Sequence, residues 1–345
     1  MRNFRVHRRD AVLSAIISMF SFLFFNSSWA QDKKDAEAKH LFRIYEDNDC
    51  LAISAVMTDK AYTNGTSLEY FYSKQGRSHF FPDRIFPRAG KDAADVFSIK
   101  LTQLMVTPNN TASAYYQPND YPYAGALFIS HGMSSYNSVE KYAISTDIVL
   151  GVRGPASFAE QTQKLVHRVI NNPEPRGWGN QLKNIPIVNI DFGVEKLLLS
   201  AGNSFELTGG AKIMAGTFKD ALSIYPLIRY GKMSPYFDGF FKQFGYFHRN
   251  GKEVKTQFYL VASPTVSFVL HDALLYGEAV SGEKLRPGDT ETRGRKIKHS
   301  LMDIQYGAVL AHGRFSLSFL QTHSTEYNKG LYRHTYANIT ASVRW

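Results

Sequence analysis

The chain has 345 residues, with 40 Lys and Arg against 30 Asp and Glu, and a formal charge of +10. Its one cysteine, Cys50, excludes an intrachain disulfide and a cysteine-rich zinc site. Beyond residue 30 no apolar stretch is long enough for a transmembrane helix, which excludes an α-helical membrane protein.

Residues 1–30 read as a secretory signal peptide. Arg2, Arg5, Arg8 and Arg9 form a basic segment, Ala11 to Phe25 is mostly apolar, and Ser28-Trp29-Ala30 offers small residues before a cut at Gln31. Residues 31–345 then form one large domain. Removing four Arg and one Asp lowers the charge from +10 to +7. The remaining excess is dispersed. It suits phosphorylated lipid head groups, or a merely soluble basic surface, better than a nucleic-acid groove.

The mature region is rich in Tyr, Phe and Thr and reads as β structure. Strands are expected near 41–49, 63–73, 96–106, 123–135, 139–151, 187–199, 204–217, 219–232, 256–277, 299–312, 313–326 and 334–345. The last of these alternates. Ala337, Ile339, Ala341, Val343 and Trp345 are apolar, with Asn338, Thr340, Ser342 and Arg344 between them. Twelve antiparallel strands ending on an aromatic fit an all-β transmembrane barrel of the bacterial outer membrane. With an even count, and the last strand ending in the periplasm, the connections 50–62, 107–122, 152–186, 217–219, 278–298 and 326–333 lie outside. Connections 74–95 and 232–254 are long for the periplasmic side, and the second has room for a further strand.

The 152–186 connection contains a short helix near 156–172. Pro155 suits a first turn, Asn171-Asn172-Pro173 a stop, and Phe158, Leu165, Val166, Val169 and Ile170 share an apolar face. A helix laid on a barrel mouth would create a cleft.

Several catalytic motifs are absent, among them Gly-x-Ser-x-Gly, His-Glu-x-x-His, the P-loop and the dinucleotide fingerprint. Asp47-Asn48-Asp49 is not an EF-hand, because no glycine stands at the sixth position. What remains is positional. Asn48 and Asp49 end the first strand, Tyr62-Thr63-Asn64-Gly65 opens the second, and His167 lies in the loop helix. Strand parity puts all three at one end of the barrel. A carboxylate, an amide, a hydroxyl and an imidazole meeting there could bind a hard cation and activate water. Each also has a plain structural reading, as turn chemistry, strand propensity or a loop histidine.

Asn48-Asp49 followed by Thr58-Asp59-Lys60-x-Tyr62-Thr63-Asn64-Gly65 resembles the start of the lipid A deacylase family. Gln103, Thr107-Pro108, Asp120-Tyr121-Pro122-Tyr123-Ala124-Gly125, Gly151, Gly154-Pro155, Gln163-x-x-x-His167-Arg168 and Trp178-x-x-Gln181-Leu182 continue the series in order. The resemblance implies a twelve-stranded outer-membrane barrel that removes the 3′-linked acyloxyacyl group from lipid A in a calcium-dependent reaction. It carries over Asn48, Asp49, Thr63 and His167 as catalytic residues, with His167 as general base on water. Asp49 and Asn48 would hold Ca2+, with Glu174 a further candidate. Lys60, Tyr62 and Arg168 are candidates for substrate binding. The chain departs from the family where residues 109–119 hold no lysine or arginine; Lys60, Arg168, Arg176 and Lys183 are possible stand-ins. The expected setting is the outer leaflet of the outer membrane, with lipopolysaccharide as partner, no nucleic acid, and a monomer sufficient. The alternative is a barrel without enzymatic activity, a channel or a surface-binding protein.

Overall fold

The computed structural model describes residues 38–53, 61–74, 80–202, 204–249, 252–277, 280 and 298–345. The expected signal peptide and Lys60 lie outside them. Among the described residues twelve strands close into one antiparallel barrel. They are β1 (His40–Asn48), β2 (Ala61–Tyr72), β3 (Ala94–Thr107), β4 (Ala124–Asn137), β5 (Tyr142–Arg153), β6 (Ile185–Ala201), β7 (Phe205–Gly216) and β8 (Lys219–Lys232), then β11 (Thr256–Asp272), β12 (Ser300–His312), β13 (Phe315–Ser324) and β14 (His334–Arg344). The wall closes where β1 pairs with β14, from Leu41↔Arg344 to Asn48↔Ala337. That closure leaves no free sheet edge, which is how a sheet survives in hydrocarbon.

Alternation along the strands separates the two faces of the wall. Leu68, Ile99, Leu101, Ile129, Leu150, Val188, Ile190, Phe268 and Met302 are exposed on the outer face, an apolar surface suited to lipid. The intervening positions face the lumen and carry ion pairs, including Arg43–Glu69, Lys100–Asp147, Lys212–Asp191 and Arg229–Glu206. Charges drawn into a barrel interior are better kept paired, and the most buried of these, Arg229–Glu206, is paired at 2.8 Å. Where the termini meet, Trp345, His40, Tyr70 and Tyr72 stack into an aromatic patch of the kind that girdles such barrels.

The long connection after β8 holds two short strands, β9 (Phe247–Arg249) and β10 (Lys252–Val254), which pair only with each other. The extra strand allowed for by the length is therefore not in the barrel. The preceding 3-10 turns, Tyr236–Asp238 and Phe240–Phe244, fold into the lumen instead. Phe237, Phe240 and Phe241 are buried against Leu41, Phe71, Val96, Tyr136 and Ala143. The plug's backbone is tied down by Arg344, which donates to the carbonyls of Phe241 and Tyr246 at 2.7 Å each, and by Gln257, which donates to Lys242 O at 2.7 Å.

The opposite end is covered as well. Tyr121, Leu182, Leu274 and Leu275 pack with Val106, Ala126, Val149 and Ile187. Arg153, buried beneath this cap, donates to the carbonyls of Lys183, Ala273 and Tyr276. Tyr121 OH meets Tyr332 O and accepts from Tyr327 N, and burial pushes its hydroxyl up to about 12. With a core at each end, the barrel is a filled scaffold.

The 74–95 connection contains a five-residue helix, α1 (Phe81–Ile85). A cavity of about 710 Å³ lies between this connection and the plug, at the end where the termini meet. It is remote from the residues the sequence singled out.

Candidate functional site on the outer wall

Asn48 and Asn64 are cross-strand partners, Asn64 pairs with Met105, and Met105 pairs with Gly125. These four positions form one row across β1 to β4. In unbroken register Asn64 shares a face with exposed Leu68, Met105 with exposed Leu101, and Gly125 with exposed Ile129. The row therefore looks out of the barrel, toward lipid.

Two local devices shape it. Asn48 ends its strand as the N-cap of the 3-10 turn Asp49–Leu51, its Oδ1 accepting from Cys50 N at 2.9 Å. Asp49 opens that turn and is buried. In β2 the pairing with β3 slips between Tyr62 and Asn64, leaving Thr63 as a bulge. A bulge re-aims side chains. Thr63 joins Asn64 on the outer side, where its Oγ1 is 2.7 Å from Thr107 Oγ1. Tyr62 is sent the other way. Its hydroxyl donates to Asp47 Oδ2 at 3.1 Å inside the lumen, and its ring crosses Gly65, where any Cβ would collide with it. Tyr62 and Thr63, adjacent in sequence, thus serve opposite faces of the wall.

The loop helix is shorter than its sequence pattern suggests. A 3-10 turn, Pro155–Ser157, is followed by Phe158 with φ of 58°, and then by α2 (Ala159–Val169). A left-handed residue between them breaks the continuous helix expected from residue 156. Its seat is the outer wall, where α2 touches β3 and β4. A side chain on Gly125 would strike Ala159 Cβ and Ser157 Oγ, so the glycine permits the close approach. Met105, Tyr123, Ala159 and Trp178 seal this contact, and Gln103 Nε2 donates to Ser157 O at 2.7 Å.

The polar stripe of α2 faces the protein. Ala159, Gln163 and His167, at four-residue spacing, are its buried residues, while Phe158, Leu165, Val166 and Val169 are exposed. This inverts the usual arrangement and suits a helix whose surroundings are lipid. Gln163 Oε1 accepts from Trp178 Nε1 at 2.7 Å. His167 Nδ1 lies 2.7 Å from Pro173 O and 3.4 Å from Asn172 Nδ2. A carbonyl can only accept, so the shorter contact assigns the proton to Nδ1 and makes Nε2 the basic nitrogen.

Strands about 4.8 Å apart set Asn48 roughly 14 Å from Gly125 along the row. Eight residues of helix carry His167 about 12 Å from Ala159. Arg168 and Glu174 pair with each other at 3.0 Å on the exposed side of the helix end. Among the described residues no group of three or more His, Cys, Asp or Glu is arranged to hold a metal ion. Oxygen donors for a hard cation would thus come from Asp49 with amide, hydroxyl or backbone oxygens, a donor set that calcium accepts. Glu46 and Thr66, flanking the row, were not singled out by the sequence, although Glu46 shares a strand face with Asn48.

A family model described as outer membrane protein LpxR matches residues 16–345. The chain belongs to the LpxR family. It is accordingly an outer-membrane β-barrel protein, as its apolar outer wall requires. Among solved structures, LpxR from Salmonella typhimurium superposes with a TM-score of 0.70 at 16% identity, covering 88% of this chain and 100% of that one. The β domain of the Bordetella autotransporter BrkA follows with a TM-score of 0.45 at 10% identity, covering 90% and 99%. No curated protein matches the chain.

Proposed function

We propose that this LpxR-family chain is a lipid A 3′-O-deacylase, an ester hydrolase working in the outer leaflet of the outer membrane. The observation that carries the reading is the direction of the polar row. Asn48, Thr63 and Asn64 face the lipid side of the wall on which the His167 helix is seated. A site there takes an ester from the bilayer without passing it through the lumen. The helix touches β4 and β3, and its span from Ala159 to His167 nearly matches that of the row, so in this reading it runs along the row toward Asn48. The plugged lumen argues against a channel.

In this mechanism His167 Nε2 takes a proton from water as the oxygen attacks the ester carbonyl. Pro173 O, accepting from Nδ1, holds the ring in the required tautomer and orientation. The tetrahedral intermediate then collapses by breaking its bond to the sugar oxygen, which receives the proton back from the imidazolium. Thr63 and Asn48 orient the substrate or the ion. A calcium ion held by Asp49 and Asn48 would supply positive charge for the developing oxyanion. Glu174, already paired with Arg168, contributes less to such a site. Arg168, with Lys60, remains the candidate for the lipid A phosphates in place of the lysine missing from residues 109–119. A closed barrel suffices as a monomer.

The test is expression in a host with hexa-acylated lipid A, followed by mass spectrometry of the lipid. Loss of the 3′ acyl chains is expected. Unchanged lipid A, with the barrel folded in the outer membrane and calcium present, would overturn the reading.

A further inference from the structure

The outer row carries a carboxylate that the proposed chemistry does not use. Glu46 stands two residues before Asn48 and faces the same way, away from the lumen. An ionisable side chain on the lipid side of a barrel is costly, so its presence calls for a role. Glu46 Oε2 accepts from Thr66 Oγ1 at 2.6 Å, and Oε1 accepts from Asn64 Nδ2. Thr66 Oγ1 also lies 3.2 Å from Asn64 Oδ1, and Asn64 Nδ2 lies 3.2 Å from Asp47 O.

The polarity of these groups leaves one arrangement. Amide nitrogens only donate and a carboxylate only accepts, so Glu46 draws the nitrogen of Asn64 toward itself. The oxygen of Asn48 is fixed independently by Cys50 N. The turn thus sets the Asn48 amide, and Glu46 with Asp47 O sets the Asn64 amide beside it. The next position along the Glu46 row after Thr66 is Gln103, which holds Ser157 at the approach to α2. By strand register, one row of positions thus runs from the Asn48 strand to the strand that holds Ser157.

We propose that Glu46 is a positioning residue of the hydrolytic site: it fixes the Asn64 amide beside Asn48 on the lipid-facing wall, so that the site's oxygen donors are preset for the cation and the ester. This rests on the hydrolase reading above. Partners that orient ligand side chains typically affect cation affinity or turnover by roughly 10–100-fold when removed.

The experiment compares wild type, Glu46→Ala and Glu46→Gln as full-length folded barrels. Two readouts are taken: kcat and KM on lipid A micelles, and Tb3+ luminescence titration as a probe of cation affinity. Glu46→Ala should lower kcat and weaken Tb3+ binding by roughly 10–100-fold with KM little changed. Glu46→Gln should recover much of both, because its oxygen can accept from Asn64 while its nitrogen donates to Thr66, whose hydroxyl works either way. A Glu46→Ala protein with wild-type kcat and cation affinity overturns the proposal. Equal losses in the Ala and Gln variants overturn it too, since they assign the effect to the charge itself. A wild type inert on lipid A sinks the hydrolase reading, and the Tb3+ titration then still decides whether Glu46 orders the row.

Discussion

At the residue scale, the imidazole of His167 and the hydroxyl of Thr63 are both held by short hydrogen bonds to fixed partners, Pro173 O and Thr107 Oγ1. Each is removable without disturbing the sheet. His167→Ala should lower kcat on lipid A by about 10²–10⁴-fold, the usual contribution of a positioned general base, with the barrel still folded. A His167→Ala protein with full turnover would dismiss the assigned base. Thr63→Val keeps the side-chain volume and the β-branched preference of the strand but cannot reach Thr107 by hydrogen bond. Its expected effect is a loss of turnover with the barrel still folded, at a stability cost of about 1–3 kcal/mol for the buried Thr107 hydroxyl that loses this partner. Chelation by EGTA should abolish turnover and excess Ca2+ should restore it; activity that persists through exhaustive chelation excludes the cation from the mechanism.

At the element scale, the site depends on how α2 is seated. The contact is a close one, with Gly125 beneath Ala159 and Ser157. Gly125→Leu should lift the helix off β4 while leaving the strand pairing of the wall intact. Activity should fall at least 10-fold, with normal heat-modifiable mobility on gels reporting a folded barrel; activity at the wild-type level would show that the helix seat is not needed. The inverted helix explains why such a change would not simply expose apolar surface to water. Leu165, Val166 and Val169 already face outward, where lipid is the solvent.

At the scale of the whole molecule, the barrel is occupied from both ends. The plug inserts Phe237, which is 1% exposed, and the cap inserts Tyr121 and Leu182. In planar bilayers the protein should pass almost no steady current; porin-like conductance would contradict the packed lumen. Phe237→Ala should destabilise the barrel by about 3–5 kcal/mol, the cost of emptying a buried aromatic site, measured by urea or thermal unfolding in detergent. The effect on turnover should be small, because the plug lies at the end of the barrel away from the polar row.

Much of this was legible in the sequence. Strand propensity, with alternation in the last strand, located all twelve strands to within a few residues, and the order of long and short connections already marked 74–95 and 232–254 as exceptional. Periodicity works for strands because each residue's face depends on its neighbours two positions away. The same argument failed at Tyr62 and Thr63, where one bulged residue reverses the alternation and no composition signal announces it. The helix pattern was found with its shared apolar face, but which way that face points was decided by the lipid-facing wall on which the helix sits. Glu46 and Thr66 escaped notice because each is an ordinary strand residue on its own; cross-strand register makes them partners.

The sequence by itself determined that the chain forms a closed β-barrel with a helix in one long connection, because those properties follow from local periodicity and strand count. Which side of the wall each polar residue serves was decided only by the tertiary structure. Register, a single bulge and the seating of one helix at Gly125 are pairings between distant segments. Those pairings turn Asn48, Thr63 and Asn64 toward the lipid and Tyr62 toward the lumen.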